Sequence, residues 1–129
     1  MVTEARDPQL LKGVLPILVL ALLAERKSSG YELVTRLQSG GLADMSTGTV
    51  YLVLTRLERA GHISSRLVAS SPGPARKYHV PTANGTTELV RSTRSWEELT
   101  VTVATTLGRA GVSLTSGRQP VESTQREPA

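Results

Sequence analysis

The sequence predicts a mainly α protein with one small β-hairpin, and three stretches carry that prediction. Residues 46–61 repeat apolar side chains at helical spacing between a serine and a glycine. Residues 63–80 alternate with a period of about two on either side of a turn rich in proline, glycine and serine. Leu89, Trp96, Leu99, Val103 and Leu107 then return at spacings of 7, 3, 4 and 4, close to a heptad seam. With two earlier helices the order is helix, helix, helix, hairpin. That is a winged helix-turn-helix DNA-binding domain followed by a C-terminal dimerisation helix. The expected division is a disordered lead over 1–7, the winged domain over 8–81, the dimerisation helix over 82–107 and a disordered tail over 108–129.

Composition agrees with one small domain. A chain of 129 residues with 39% hydrophobic content can fill one modest core, not a large enzyme fold. With no Phe and one Trp, that core must be Leu- and Val-rich. The lack of cysteine excludes disulfides and thiolate metal sites and fits a cytoplasmic protein. The net charge of +4 leans on arginine, the residue that grips phosphate bidentately. From Arg26 to His79 eight basic residues stand against Glu32, Asp44 and Glu58, a local excess of +5. A polyanion partner fits that segment.

Asp7-Pro8 reads as an N-cap and a first-turn proline opening a short helical turn, which Gly13 is expected to interrupt. Val14 to Ala24 is nearly all apolar and reads as a buried first helix. It is too short to span a bilayer. Acidic Glu4 and Asp7 replace the basic lead of a signal peptide, and no cleavage site follows. Ser29-Gly30-Tyr31-Glu32 is a capping box, and Leu33, Val34 and Leu37 form the apolar face of a second helix ending near Gln38. Ser39-Gly40-Gly41 breaks it, with Leu42 and Met45 as loop anchors.

In the next helix Ser46 is the N-cap and Gly61 the residue after the end. At about 100° per residue Val50, Val53, Leu54 and Leu57 share one face. Gly48, Tyr51, Leu52, Thr55 and Arg59 share the other, with Arg56 at its edge. Free N–H groups, three hydroxyls and the positive dipole end at the first turn suit the leading end of a recognition helix. Past Gly61, Ile63, Ser65 and Leu67 alternate with Ser64, Arg66 and Val68, residues 69–75 form a turn, and Arg76 to Val80 return as the second strand. Arg76 and Lys77 put cations at the base of the wing.

At this point the chain resembles the PadR family of transcriptional regulators over roughly Leu11 to Leu107. Gly30-Tyr31-Glu32-Leu33 is similar to the family's G-Y-E-[IL], and Gly48-Thr49-Val50-Tyr51 to its G-T-[LV]-Y. Leu54 and Arg56-Leu57-Glu58 through Gly61-His62-Ile63 resemble L-x-R-L-E-x-x-G-x-I, and Gly73-Pro74-Ala75-Arg76-Lys77-Tyr78 resembles G-[GP]-x-R-K-Y. The resemblance implies a dimeric DNA-binding regulator, usually a repressor, whose last helix makes the dimer. The chain departs from the family pattern at three positions. Leu52 replaces a proline and could meet a thymine methyl. Pro16 should move the start of the first helix to about that point. Pro81 replaces a leucine and should end the second strand abruptly.

Thr82 is the expected N-cap of the last helix. Residues 100–106 are β-branched and alternating and would suit a strand if taken alone; their place after the wing and the resemblance favour helix.

The chain has no G-x-S-x-G, P-loop, dinucleotide glycine pattern or H-E-x-x-H, so no enzyme, cofactor or metal site is expected. Of the two histidines, His79 reads as a strand residue near the DNA-facing surface. The expected function is a homodimeric repressor on an inverted-repeat operator of double-stranded DNA, released by a small aromatic effector and using no membrane. Expected DNA contacts are Ser29, Tyr31, Thr47, Thr49, Tyr51, Arg56, Arg76 and Lys77. Leu89, Trp96, Leu99 and Val103 are the expected dimer or ligand interface. The competing expectation is a winged-helix module that binds an acidic protein.

Overall fold

The computed structural model describes residues 8–114. Its elements run α1 (Pro8–Glu25), β1 (Ser28–Ser29), α2 (Gly30–Ser39), α3 (Thr47–Arg59), β2 (Ile63–Val68), β3 (Arg76–Pro81) and α4 (Ala83–Arg109). The Asp7 cap and the 1–7 lead lie outside the described residues.

The first helix departs from expectation. α1 is continuous from Pro8, with Gly13 and Pro16 inside it. Pro16 removes one backbone donor and costs about 3 kcal/mol in a helix interior. Leu15, Val19, Leu20 and Leu23, each at most 2% exposed, more than offset that at about 1.5–3 kcal/mol apiece.

α2 starts on the predicted box: Ser29 Oγ accepts from the Glu32 N–H, and Glu32 Oε1 accepts from the Ser29 N–H, each at 3.1 Å. Leu33, Val34 and Leu37 are buried on its inner face. Met45 is buried and Leu42 partly buried against the same core, so the connection is anchored where expected. Gln38 also donates to the Met45 carbonyl at 2.9 Å.

The Ser46 cap of α3 accepts from the Thr49 N–H at 3.2 Å. The helix ends in a Schellman closure, with Gly61 donating to Glu58 O and His62 to Leu57 O. Gly61 holds φ +81°, which explains glycine there. Val50, Val53, Leu54 and Leu57 meet the α1 and α2 residues in one aliphatic core.

The sheet has three antiparallel strands in the order β1-β3-β2. The two-residue β1 was not anticipated: Ser28 and Ser29 pair with His79 and Tyr78 and join the capping box to the wing. Ile63 is buried, whereas Leu67 is 69% exposed, so the alternation buries only the base of β2. Pro81 is the last residue of β3, pairing with Ile63, and the strand ends there as expected.

Thr82 caps α4, accepting from the Gly85 N–H at 3.0 Å and donating to Gly61 O at 2.6 Å. A Cβ on Gly85 would collide with the His62 carbonyl, so glycine permits this close approach. Residues 100–107 are helical, and the helix runs two residues beyond its expected end. One compact unit extends to Thr93 and a second begins at Arg94, so the first turns of α4 belong with the winged domain rather than with a unit starting at 82. Of the expected tail, 108–109 close the helix, 110–114 follow it, and 115–129 lie outside the described residues. Among the described residues no helix is long and apolar enough to cross a membrane.

Candidate nucleic-acid interface

The capping box fixes the first turn of α2, the Schellman closure fixes the end of α3, and the β1-β3 pairing brings the base of the wing beside both. A cleft of about 780 Å³ opens where these three elements meet. Five of the eight expected DNA contacts line it: Ser29 and Tyr31 from the start of α2, Tyr51 from α3, and Arg76 and Lys77 from β3. Tyr31 is 68% exposed and Tyr51 48%. Ser29 is buried and its hydroxyl is engaged in the cap, so its side chain serves the geometry of the α2 turn. Tyr51 sets its ring edge against Gly30, whose absent Cβ would collide with Cε1 of the tyrosine.

The other three contacts lie elsewhere. Thr49 and Arg56 line a second groove of about 480 Å³ between α1 and α3, together with Leu52, Lys12, Pro16 and Asp44. Thr47 lines neither recess and is exposed at the start of α3. The Thr49 hydroxyl accepts from Ser46 Oγ at 2.8 Å. The exposed face of α3 therefore has two flanks. Tyr51, Thr55 and Glu58 look to the wing, and Thr49, Leu52 and Arg56 look to α1.

Two residues of the cleft were not anticipated in this place. Glu58 stands among the cations and accepts from Ser65 Oγ at 3.0 Å. Its spacing of seven from Tyr51 was a readable sign that both share one stripe. His79 lines the cleft with only 5% of its surface exposed, and its Nδ1 is buried and unpartnered. Strand alternation turns it opposite to its half-exposed and exposed neighbours Tyr78 and Val80. Burial, and then Lys77, lower the His79 pKa, while Glu58 pulls it back up. The imidazole is uncharged at neutral pH.

On α4, Leu89 packs against the core of the winged domain. Trp96, Leu99 and Val103 are 46%, 55% and 39% exposed. Among the described residues no group of three or more His, Asp or Glu could hold a metal.

Residues 19–91 match the sequence model of the PadR-like family of transcriptional regulators. The chain belongs to the PadR-like family. Among solved structures it is similar to a PadR-like transcriptional regulator from Bacillus cereus, at 37% identity over 77% of this chain and 96% of that one, with a TM-score of 0.69. A PadR family regulator from Eggerthella lenta matches at 31% identity over 77% and 86% of the two chains, with a TM-score of 0.70. A Streptococcus transcriptional regulator matches at 34% identity over 75% and 95%, with a TM-score of 0.68. No curated protein matches the chain. The PadR-like family is one of transcriptional regulators, which is not a class of enzyme.

Proposed function

We propose that this PadR-like protein is a homodimeric repressor that acts in the cytoplasm by binding an inverted-repeat operator. In this reading α3 enters the major groove of double-stranded DNA, and the wing tracks the backbone or the neighbouring minor groove. Thr47, Thr49, Leu52 and Arg56 meet base edges or nearby phosphates from the leading flank. Tyr31, Tyr51, Arg76 and Lys77 hold the backbone on the wing flank, and Ser29 sets the α2 turn beneath Tyr31. The observation that carries the proposal is the convergence of Tyr31, Tyr51, Arg76 and Lys77 on one cleft beside α3, with neither cation in an ion pair among the described residues.

The exposed Trp96, Leu99 and Val103 fit a face that a second copy covers, with two-fold symmetry matching the repeat. Leu89 stays with its own core. A flat aromatic effector stacking on Trp96 would release the operator by favouring the DNA-free spacing of the two recognition helices.

Footprinting on the DNA upstream of the protein's own gene tests the proposal. Two protected half-sites about one helical turn apart are expected in the presence of excess unrelated duplex. Protection that unrelated duplex abolishes, or a single unrepeated half-site, would overturn the reading.

A further inference from the structure

His79 is a group that the proposed function leaves unused. It is the one buried polar side-chain atom without a partner among the described residues, through its Nδ1, and it lines the cleft where the cations converge. Buried polar atoms are nearly always hydrogen-bonded, and an exception points to function, strain or an absent ligand. The groups facing the cleft come from every element around it. β3 contributes Arg76 and Lys77, α3 contributes Glu58 and Tyr51, and the start of α2 contributes Tyr31. β1 and β2 place uncharged Ser28 and Ser65 opposite His79 in the sheet.

We infer that this cleft is a proton-linked seat for a phosphodiester of bound DNA, in which His79 takes up a proton and joins Arg76 and Lys77 as a third cation. The inference rests on the DNA binding proposed above and deepens it. In the free protein two causes keep the imidazole neutral, burial first and Lys77 second. A phosphate drawn to Arg76 and Lys77 cancels the repulsion from Lys77 and adds an attraction of its own. Its negative charge acts on the imidazole through the cleft wall, without requiring the buried Nδ1 to touch it. Glu58, steadied by Ser65, keeps a negative neighbour beside the new charge.

Linkage sets the direction. The His79 pKa lies below its ordinary 6.5 in the free protein and rises in the complex, so DNA binds more tightly as pH falls. The gain is complete below the free-state pKa and is lost as pH rises through the pKa of the complex. Each unit of upward movement gives about tenfold in affinity.

The test is fluorescence anisotropy of the full chain with a labelled duplex of about 30 base pairs at fixed ionic strength, from about pH 5.5 to about pH 8. Wild type should gain about tenfold toward acid, His79→Gln should lose that response, and His62→Gln should keep it. Because His79→Gln could disturb the fold, NMR titration of both imidazoles in the wild type gives an independent reading. The His79 midpoint should rise on adding duplex and stay put on adding inorganic phosphate at matched ionic strength. An equal rise with phosphate alone would overturn the assignment to the DNA backbone. DNA binding that ignores pH, with an unmoved His79 midpoint, would overturn the inference and leave DNA binding standing. No binding at any pH would overturn both.

Discussion

Gly30→Ala should leave the fold standing and weaken DNA binding. The new methyl group would fall on three ring atoms of Tyr51, so the ring must leave its place over the first turn of α2. Tyr51 is 48% exposed and can swing into solvent. That displacement costs about 1 kcal/mol, and alanine in place of glycine returns up to about 1 kcal/mol of backbone entropy. The net change should stay within about 1 kcal/mol, or roughly 4–8 °C in Tm. In the proposed complex, moving Tyr51 out of the cleft would forfeit a hydrogen bond to a charged phosphate, worth about 1.5–3 kcal/mol, or roughly tenfold to a hundredfold in Kd. Gly85→Ala is the contrast, because its methyl group meets the His62 backbone carbonyl, which cannot swing aside. That variant should lose about 1–3 kcal/mol of stability. Thermal unfolding by circular dichroism and anisotropy on operator DNA give the two readouts. Unchanged affinity in folded Gly30→Ala would refute the role given to Tyr51, and a Gly85→Ala protein as stable as wild type would refute the tight seat of α4.

Arg76→Ala and Lys77→Ala should weaken operator and unrelated DNA about equally, whereas changes at Thr49 or Leu52 should alter sequence preference; binding to a small panel of altered operators separates the two classes, and uniform loss from both would contradict the division. Trp96→Ala should weaken dimerisation by a few kcal/mol if the indole is a packing anchor, measured by sedimentation equilibrium in the ultracentrifuge; a stable dimer that holds its operator yet ignores planar aromatics would instead mark Trp96 as the effector site. Glu88 is held at about 2, first by its hydrogen bond from Arg91 and further by the Ser92 hydroxyl. The stability it contributes is present above its ordinary 4.5 and is lost as pH falls toward about 2. Solvent limits that contribution to less than about 1 kcal/mol. Arg91→Gln should raise the Glu88 midpoint in an NMR titration, and an unmoved midpoint would show that the pair does not form in solution.

Much of the fold was legible because local rules and tertiary packing agree. The capping box at Ser29, the Ser46 cap, the glycine at 61 and the four apolar positions of α3 are each dictated within a few residues, and each stands where expected. α1 was misjudged because the helix-breaking tendency of Gly13 and Pro16 is local, and it is outweighed by the burial of Leu15, Val19, Leu20 and Leu23, which only the assembled core supplies. β1 escaped notice because a two-residue strand has no periodicity; Ser28 and Ser29 are strand only through their pairing with β3. The same distance in sequence hid the cleft. Arg76, Lys77 and Tyr51 were identifiable as single residues, but the placing of His79 beneath them and of Glu58 among them depends on how β3 lies against α3. Leu89 fitted a heptad seam, yet the core of the winged domain takes it.

The salt dependence of binding to the upstream DNA tests the central claim most directly, that the face built from α3 and the base of the wing grips duplex DNA through its phosphates. With roughly eight phosphates neutralised per dimer, counterion release predicts that log K falls against log salt with a slope of about −7. A slope near zero, with binding that persists unchanged as salt is raised, would contradict it.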